Sequence, residues 1–346
     1  MHPDDYDYTL PVALIAQEPA AVRDQSRLMV LDTVRDTLRH AVFHDFPSFL
    51  RAGDVLVVND TRVFPARLKG KKEDTGADVE VFLLHRTDGE TWDALCRPAR
   101  RLRVGTRVLF GDGLLTGAIT GKATEGRISI ELASAIPVAD AIDRVGATPL
   151  PPYIHRPPEP GDRDRYQTVY AQSRGAVAAP TAGFHFTGAL LDEIERLGVK
   201  RAAVTLHVGI GTFRPLKPED FEKDRLHQEY CVVGRDAVET IRACRAGGGR
   251  VFAVGTTTVR ALESASQNGA IEPFEGWTDL FIREPYRFRS VDAIITNFHL
   301  PRSSLLVLVS TFAGRDRVLT AYREAVRERY RFYSYGDAML ILGARP

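Results

Sequence analysis

Cysteine is scarce in this chain. Cys96, Cys231 and Cys244 are odd in number and widely spaced. No Cys-x-x-Cys pair occurs, so neither a disulfide framework nor a structural zinc site is expected. Long apolar runs are missing too. The longest, Leu305–Val309 with Phe312 and Ala313 behind it, is too short to cross a bilayer. The opening Met1-His2-Pro3-Asp4-Asp5-Tyr6-Asp7 is acidic and has no apolar h-region, which argues against secretion. Lys is sparse, so most of the 46 basic residues are Arg, yet the net charge is only +1. Codon usage explains that bias as readily as a need for guanidinium forks, which grip phosphate better than ammonium groups do. Overall charge therefore demands no nucleic-acid partner. The expected setting is a reduced cytoplasm away from membranes, and no exposed apolar helix or heptad argues against a monomer.

What is present has the texture of an ordinary globular protein. Apolar residues make up 44% of the 346 and charged residues 26%, enough for two domains and a sizeable core. Val55–Val58 reads as a short buried strand. Six short β-rich segments follow, at Arg62–Leu68, Val79–His85, Thr91–Cys96, Thr106–Phe110, Leu114–Thr120 and Arg127–Leu132, most separated by Gly turns. That spacing predicts a small closed barrel. A Pro-rich joint, Pro149-Leu150-Pro151-Pro152-Tyr153, ends it. Beyond residue 165 strands and helices alternate. Thr187 caps a helix carrying Leu190, Leu191, Ile194 and Leu197, which Gly198 stops. Strands are expected at Val204–Val208, Val251–Val254 and Ala293–Thr296, and helices at Ala237–Ala246, Thr256–Ala265, Ser303–Phe312 and Val318–Tyr330. The fold class is therefore α/β, a mostly parallel sheet with flanking helices, interrupted by a six-stranded barrel. The expected boundaries are an α/β domain of residues 1–61 and 151–346, with residues 62–150 inserted as the barrel.

Four histidines lie in stretches crowded with Gly, Thr, Asn and Pro. They are Thr181-Ala182-Gly183-Phe184-His185, His207-Val208-Gly209-Ile210-Gly211-Thr212-Phe213, His227-Gln228-Glu229 and Thr296-Asn297-Phe298-His299. Gly admits a close backbone approach, Thr and Asn supply hydrogen bonds, and His titrates near neutrality. The pattern predicts one polar pocket built from several loops. His227 ranks lowest, having the least Gly around it. No His-x-x-x-His spacing points to a metal. Gly255-Thr256-Thr257-Thr258, between a strand and a helix, is a general anion site with Arg260 one turn in; simple capping explains it nearly as well. Asn59-Asp60-Thr61-Arg62 is either a capped turn or a substrate contact at the domain junction, and Tyr335-Gly336-Asp337 has the same two readings. Arg97, Arg100, Arg101 and Arg103 crowd one barrel loop and suit phosphate. Arg323, Arg327, Arg329 and Arg331 alternate with Glu324 and Glu328, as on a solvated face.

Taken together these motifs resemble the S-adenosylmethionine:tRNA ribosyltransferase-isomerase family almost end to end. The resemblance is carried by Tyr6-Asp7-Tyr8, Leu14-Ile15-Ala16-Gln17, Val58-Asn59-Asp60-Thr61-Arg62-Val63, Leu150-Pro151-Pro152-Tyr153-Ile154, Arg165-Tyr166-Gln167-Thr168-Val169-Tyr170, the four histidine stretches, Gly255-Thr256-Thr257 and Tyr335-Gly336-Asp337. Two departures are Glu284-Pro285, where the family has Pro-Gly, and Leu226, where Met is common.

The resemblance implies transfer and isomerisation of the ribosyl group of S-adenosylmethionine onto 7-aminomethyl-7-deazaguanine in tRNAs with a GUN anticodon. Epoxyqueuosine in the tRNA, adenine and methionine are the products. S-adenosylmethionine is consumed as a substrate, and no separate cofactor is expected. The sulfonium acidifies the C5′ hydrogens, so the chemistry needs a base, and an acid for departing adenine. The expectation is that His185, His207 and His299 share these transfers, with Asp60 as the competing base. Asn297 and Thr181 orient substrate, and Thr256-Thr257 with Arg260 hold the methionine carboxylate or a tRNA phosphate. Asn59, Thr61, Arg62, Gly183, Gly209 and Tyr335 complete the expected contacts. A silent tRNA-binding relative and a metal-dependent hydrolase are the rival readings.

Overall fold

The computed structural model describes residues 2–209, 211 and 216–343, except the side chains of Arg101 and Glu125. Ile210, Thr212 and Phe213 of the second histidine stretch, and the Arg101 side chain, therefore lie outside the described residues. In chain order the elements are β1 (Arg27–Asp32), β2 (Thr37–Val42), β3 (Val55–Asn59), β4 (Thr61–Val63), β5 (Arg67–Lys72), β6 (Asp78–Asp88), β7 (Thr91–Arg97), β8 (Arg107–Phe110), β9 (Leu115–Lys122), β10 (Arg127–Ala133), α1 (Val138–Val145), α2 (Asp162–Arg165), β11 (Ser173–Ala176), α3 (Gly188–Arg196), β12 (Lys200–Leu206), α4 (Pro218–Lys223), β13 (Arg225–Val233), α5 (Arg235–Ala246), β14 (Val251–Val254), α6 (Thr256–Ser264), β15 (Phe274–Leu280), β16 (Ala293–Asn297), α7 (Ser304–Ala313), α8 (Arg315–Arg327) and β17 (Ala338–Leu342).

Nine strands form one sheet in the order β15-β13-β12-β3-β14-β16-β17-β1-β2. The expected parallel character holds at its centre, where β12, β3, β14 and β16 run side by side. Antiparallel pairings flank that centre, β13 and β15 beyond β12 and β17 beyond β16. Both faces are covered. Val55 and Val57 of β3 pack into one core and Leu56 and Val58 into the other, and β14 divides Val251 and Ala253 from Phe252 and Val254 in the same way. That is why these strands read as continuous apolar runs rather than alternating ones. Each fully buried side chain of this size contributes about 1.5–3 kcal/mol.

Thr187 caps α3 as expected, its hydroxyl accepting from Leu190 N at 3.1 Å. Leu190, Leu191 and Ile194 are buried beneath it, but Leu197 is 44% exposed because the helix has ended and the chain turns at Gly198.

A closed barrel, β10-β7-β6-β5-β8-β9, carries a core of its own. Its first strand differs from the expected Arg62–Leu68. Pro65, which offers no backbone N–H, splits that segment. Thr61–Val63 instead pairs in parallel with β11 outside the barrel, and the barrel begins at Arg67. Among the described residues no helix is long and apolar enough to cross a membrane.

Candidate active site

The four parallel strands end on one edge of the sheet, at Leu206, Asn59, Val254 and Asn297. Ligand sites of open α/β sheets gather at that edge. Here the loops enclose a cleft of about 60 Å³ whose wall includes Thr181, Val208, Thr256, Thr257, Asn297 and His299. Residues of three distant histidine stretches and the start of α6 therefore meet in one cavity.

Asn297 is the hub of the cleft. Its Oδ1 accepts from Thr181 Oγ1 at 3.1 Å, and its Nδ2 lies 3.2 Å from His185 Nε2. The other His185 nitrogen, Nδ1, lies 2.7 Å from Ser26 Oγ. This network assigns the proton to Nδ1 and leaves Nε2 as acceptor. His185 is buried, and burial, with Arg23 and Arg331 nearby, lowers its pKa to about 3. With both nitrogens bonded it stands behind the cleft wall, where it orients Asn297. That corrects the expectation that His185 itself exchanges protons with substrate.

His299 does line the cleft. Its Nε2 is 2.9 Å from Thr296 Oγ1, and burial lowers its pKa to about 3. Among the described residues no hydrogen bond is seen at its Nδ1.

His207 faces elsewhere. It lies in a groove of about 720 Å³ between the sheet edge and the barrel, and Val208 beside it lines both groove and cleft. Thr61 Oγ1 donates to Ser173 O at 3.4 Å and lies 2.8 Å from His207 Nδ1, so Nδ1 donates to Thr61 and Nε2 carries the lone pair. The ring lies flat on the backbone of Gly175, where a Cβ would come within 2.5 Å of Nε2. Burial lowers the His207 pKa, opposed by the charge of Asp60. His227 is exposed at the rim of the same groove.

Several expected contacts are structural instead. Asn59 is wholly buried: Nδ2 donates to Leu206 O and Thr257 Oγ1, and Oδ1 accepts from Thr61 N and Leu206 N. It stitches the ends of β3 and β12 to α6. Asp60 accepts from the Thr205 hydroxyl at 2.6 Å and the Ser173 hydroxyl at 3.2 Å, which occupies both carboxylate oxygens. Thr61 is buried beneath His207, and Arg62 is exposed on a separate hollow beside Asp143 and Arg174. Gly183 is packed under Tyr170, whose hydroxyl a Cβ would meet at 2.2 Å. Gly209 lines the groove and donates its N–H to Glu229 Oε1 at 3.0 Å. Tyr335 is buried away from the cleft and donates to Asp162. Arg260 pairs with Glu229, both buried, so its charge is already countered within the protein, although its Nη2 has no hydrogen-bond partner among the described residues. Thr256 and Thr257 do open onto the cleft at the N-terminus of α6.

Arg97, the last residue of β7, and Arg100 and Arg103 on the loop after it are exposed, and no ion pair engages them among the described residues. Arg327 pairs with Glu324 at 2.6 Å, as a solvated helix face predicts. All three cysteines are buried, and none of them is in a disulfide.

The cleft wall also contains Tyr153, Ser303, Tyr333 and Ser334, which the sequence reading passed over. The Tyr153 ring meets Tyr333 edge-on, centroids 3.9 Å apart, and Tyr333 has a φ of +75°. Positive φ in an aromatic residue is strained, and such strain collects at functional sites. Tyr333-Ser334 directly precedes the Tyr335-Gly336-Asp337 motif, the one signal in the sequence that pointed there.

A family model described as queuosine biosynthesis protein matches residues 3–341. The chain belongs to that family. Relatives named S-adenosylmethionine:tRNA ribosyltransferase-isomerase include those of Symbiobacterium thermophilum, 51% identical over 343 residues, and Moorella thermoacetica, 52% identical over 344. Each alignment covers 99% of this chain and 100% of the relative. The crystal structure of an S-adenosylmethionine tRNA ribosyltransferase from Thermotoga maritima is 37% identical, covers 98% of this chain and 100% of its own, and superposes with a TM-score of 0.57. In this chain the departure at Glu284-Pro285 lies outside the cleft wall, and Leu226 lines the groove.

Proposed function

We propose that this chain is an S-adenosylmethionine:tRNA ribosyltransferase-isomerase. It moves the ribosyl group of S-adenosylmethionine onto 7-aminomethyl-7-deazaguanine in tRNA and isomerises it to epoxyqueuosine, releasing adenine and methionine. The observation that carries this reading is full-length identity of about half to relatives of that name, on a chain whose strand ends form a polar cleft.

The reacting end of S-adenosylmethionine, its sulfonium and C5′, is assigned to the cleft, whose size suits that part rather than the whole molecule. His299 Nδ1 is the candidate base. Its neutral state avoids a second positive charge beside the sulfonium. The C5′ proton, once taken, passes from Nδ1 to the leaving adenine. Asn297, held by Thr181 and His185, directs its remaining amide hydrogen at substrate. Backbone N–H groups at Thr256 and Thr257 offer anion contacts at the start of a helix. His207 Nε2, in the groove, is placed to relieve the attacking amine of its proton, with Thr61 and the Asp60 charge behind it.

Residues 62–150 are read as an inserted barrel domain whose Arg97, Arg100, Arg101 and Arg103 meet tRNA phosphate. The substrate tRNAs carry GUN anticodons, the protein works as a cytoplasmic monomer, and no separate cofactor takes part. The test is incubation of purified protein with S-adenosylmethionine and tRNA bearing the aminomethyl base, followed by mass spectrometry of the nucleosides. Epoxyqueuosine with stoichiometric adenine is expected; unchanged base would refute the assignment.

A further inference from the structure

His207, Tyr230 and Trp277 stand side by side across three neighbouring strands. The His207 N–H donates to Tyr230 O at 2.9 Å, and Tyr230 is paired in register with Trp277 on the edge strand β15. The His207 and Tyr230 rings are 6.2 Å apart and nearly parallel, and Trp277 meets Tyr230 edge-on at 5.6 Å. The row is closed from the barrel side by His85, 5.7 Å from Trp277. Trp277 is 52% exposed, and among the described residues the other exposed large apolar side chains are aliphatic. Isolated aliphatic exposure is ordinary, but a bare Trp on the wall of a groove this size calls for a flat partner.

Leu95 and Val177 also line a second hollow of about 680 Å³, whose wall includes Arg67, Arg97 and Arg156. Arg156 is tied to Asp162 at 2.6 Å and Arg67 lies 3.9 Å from Glu80, whereas Arg97 is exposed and has no ion pair among the described residues. An aromatic wall with that guanidinium beyond it suits a single-stranded nucleic acid, with a base on the ring and a phosphate at the cation.

We infer that this groove seats the target base of the tRNA, swung out of its loop and stacked on Trp277, with Tyr230 at its edge and its aminomethyl group toward His207. The inference rests on the activity proposed above and adds where the base lies. It also explains why Val208 has one side in the cleft and the other in the groove: the amine and the ribosyl carbon approach each other across that residue. A base that is to react must leave its stack, and an aromatic platform compensates for the stacking it gives up.

The test uses full-length Trp277→Ala and Trp277→Phe and a synthetic anticodon stem-loop carrying 7-aminomethyl-7-deazaguanine. Trp277→Ala weakens stem-loop binding between about 5- and 150-fold, the loss of one base–aromatic stack, and Trp277→Phe retains most of the affinity. Calorimetric affinity for S-adenosylmethionine stays within about twofold. The chain has two tryptophans, so Trp92→Phe isolates the Trp277 fluorescence, which the stem-loop quenches and an abasic stem-loop does not. Unchanged RNA binding in Trp277→Ala, equal quenching by the abasic loop, or a loss of S-adenosylmethionine affinity instead would each overturn the inference. Quenching needs no turnover, so a chain that stacks the base yet yields no product counts for the platform and against the proposed activity.

Discussion

Asn297 and His185 form a tied pair, 3.2 Å from amide nitrogen to Nε2, with Ser26 fastening the far side of the ring. The imidazole is neutral and fully engaged, so its part is to aim Asn297. His185→Ala leaves two buried polar partners unsatisfied and displaces the amide. Turnover is expected to fall about 10- to 100-fold, in proportion to the roughly 1–3 kcal/mol such loss costs. The shape of the pH–rate profile stays that of wild type. A variant that erased one limb of that profile would instead make His185 a proton carrier.

Buried neutral imidazoles give the protein a specific acid sensitivity. The folded pKa of about 3 for His185 and for His299 lies below the unfolded value near 6.5. Between those values the unfolded chain binds more protons, so the stability contributed by these groups is complete above about pH 6.5 and is lost as pH falls toward 3. Each contributes a slope of up to about 1.4 kcal/mol per pH unit. Urea midpoints measured from pH 7 to pH 4.5 should fall less steeply in His185→Asn than in wild type. Identical slopes would show that burial does not hold that ring neutral.

Arg260 and Glu229 are 6% and 4% exposed and face each other. Glu229→Gln leaves a buried guanidinium without its counter-charge, a change that costs about 3–5 kcal/mol. The melting temperature should drop by several degrees, with affinity for S-adenosylmethionine in the folded fraction little changed. A selective loss of that affinity at unaltered melting temperature would return Arg260 to the substrate.

Arg97 at the end of β7 and Arg100 and Arg103 on the following loop are exposed and without an ion pair among the described residues. Replacing all three with Ala should weaken tRNA binding and flatten the plot of log affinity against log salt by about 0.7–0.9 for each phosphate no longer neutralised. An unaltered slope places the tRNA on another face.

Much of this architecture was legible in the sequence because local and global signals agreed. The barrel strands are separated by Gly turns, Thr187 and Ser303 cap helices, and β3, β14 and β16 are apolar on both faces. β1, β2, β11, β13, β15 and β17 went unread. Part of the reason is that β2 and β15 are edge strands with mixed exposure, and no turn chemistry announces their partners. The site was legible in outline: Thr181, Thr256, Asn297 and His299 do converge. Which polar residue faces a ligand and which is spent on the fold was not legible. Asn59 and Asp60 have the composition of a binding motif, but their hydrogen bonds are consumed within the protein, and only coordinates show that. Tyr333 escaped notice because strained backbone leaves no mark in composition.

Catalysis as described depends most on His299 as the group that acts on S-adenosylmethionine in the strand-end cleft. Single-turnover adenine release by His299→Ala, measured beside calorimetric binding of S-adenosylmethionine, tests it directly. Binding within about threefold of wild type with release slowed at least about 100-fold is the predicted result. Adenine release within about threefold of wild type would contradict it.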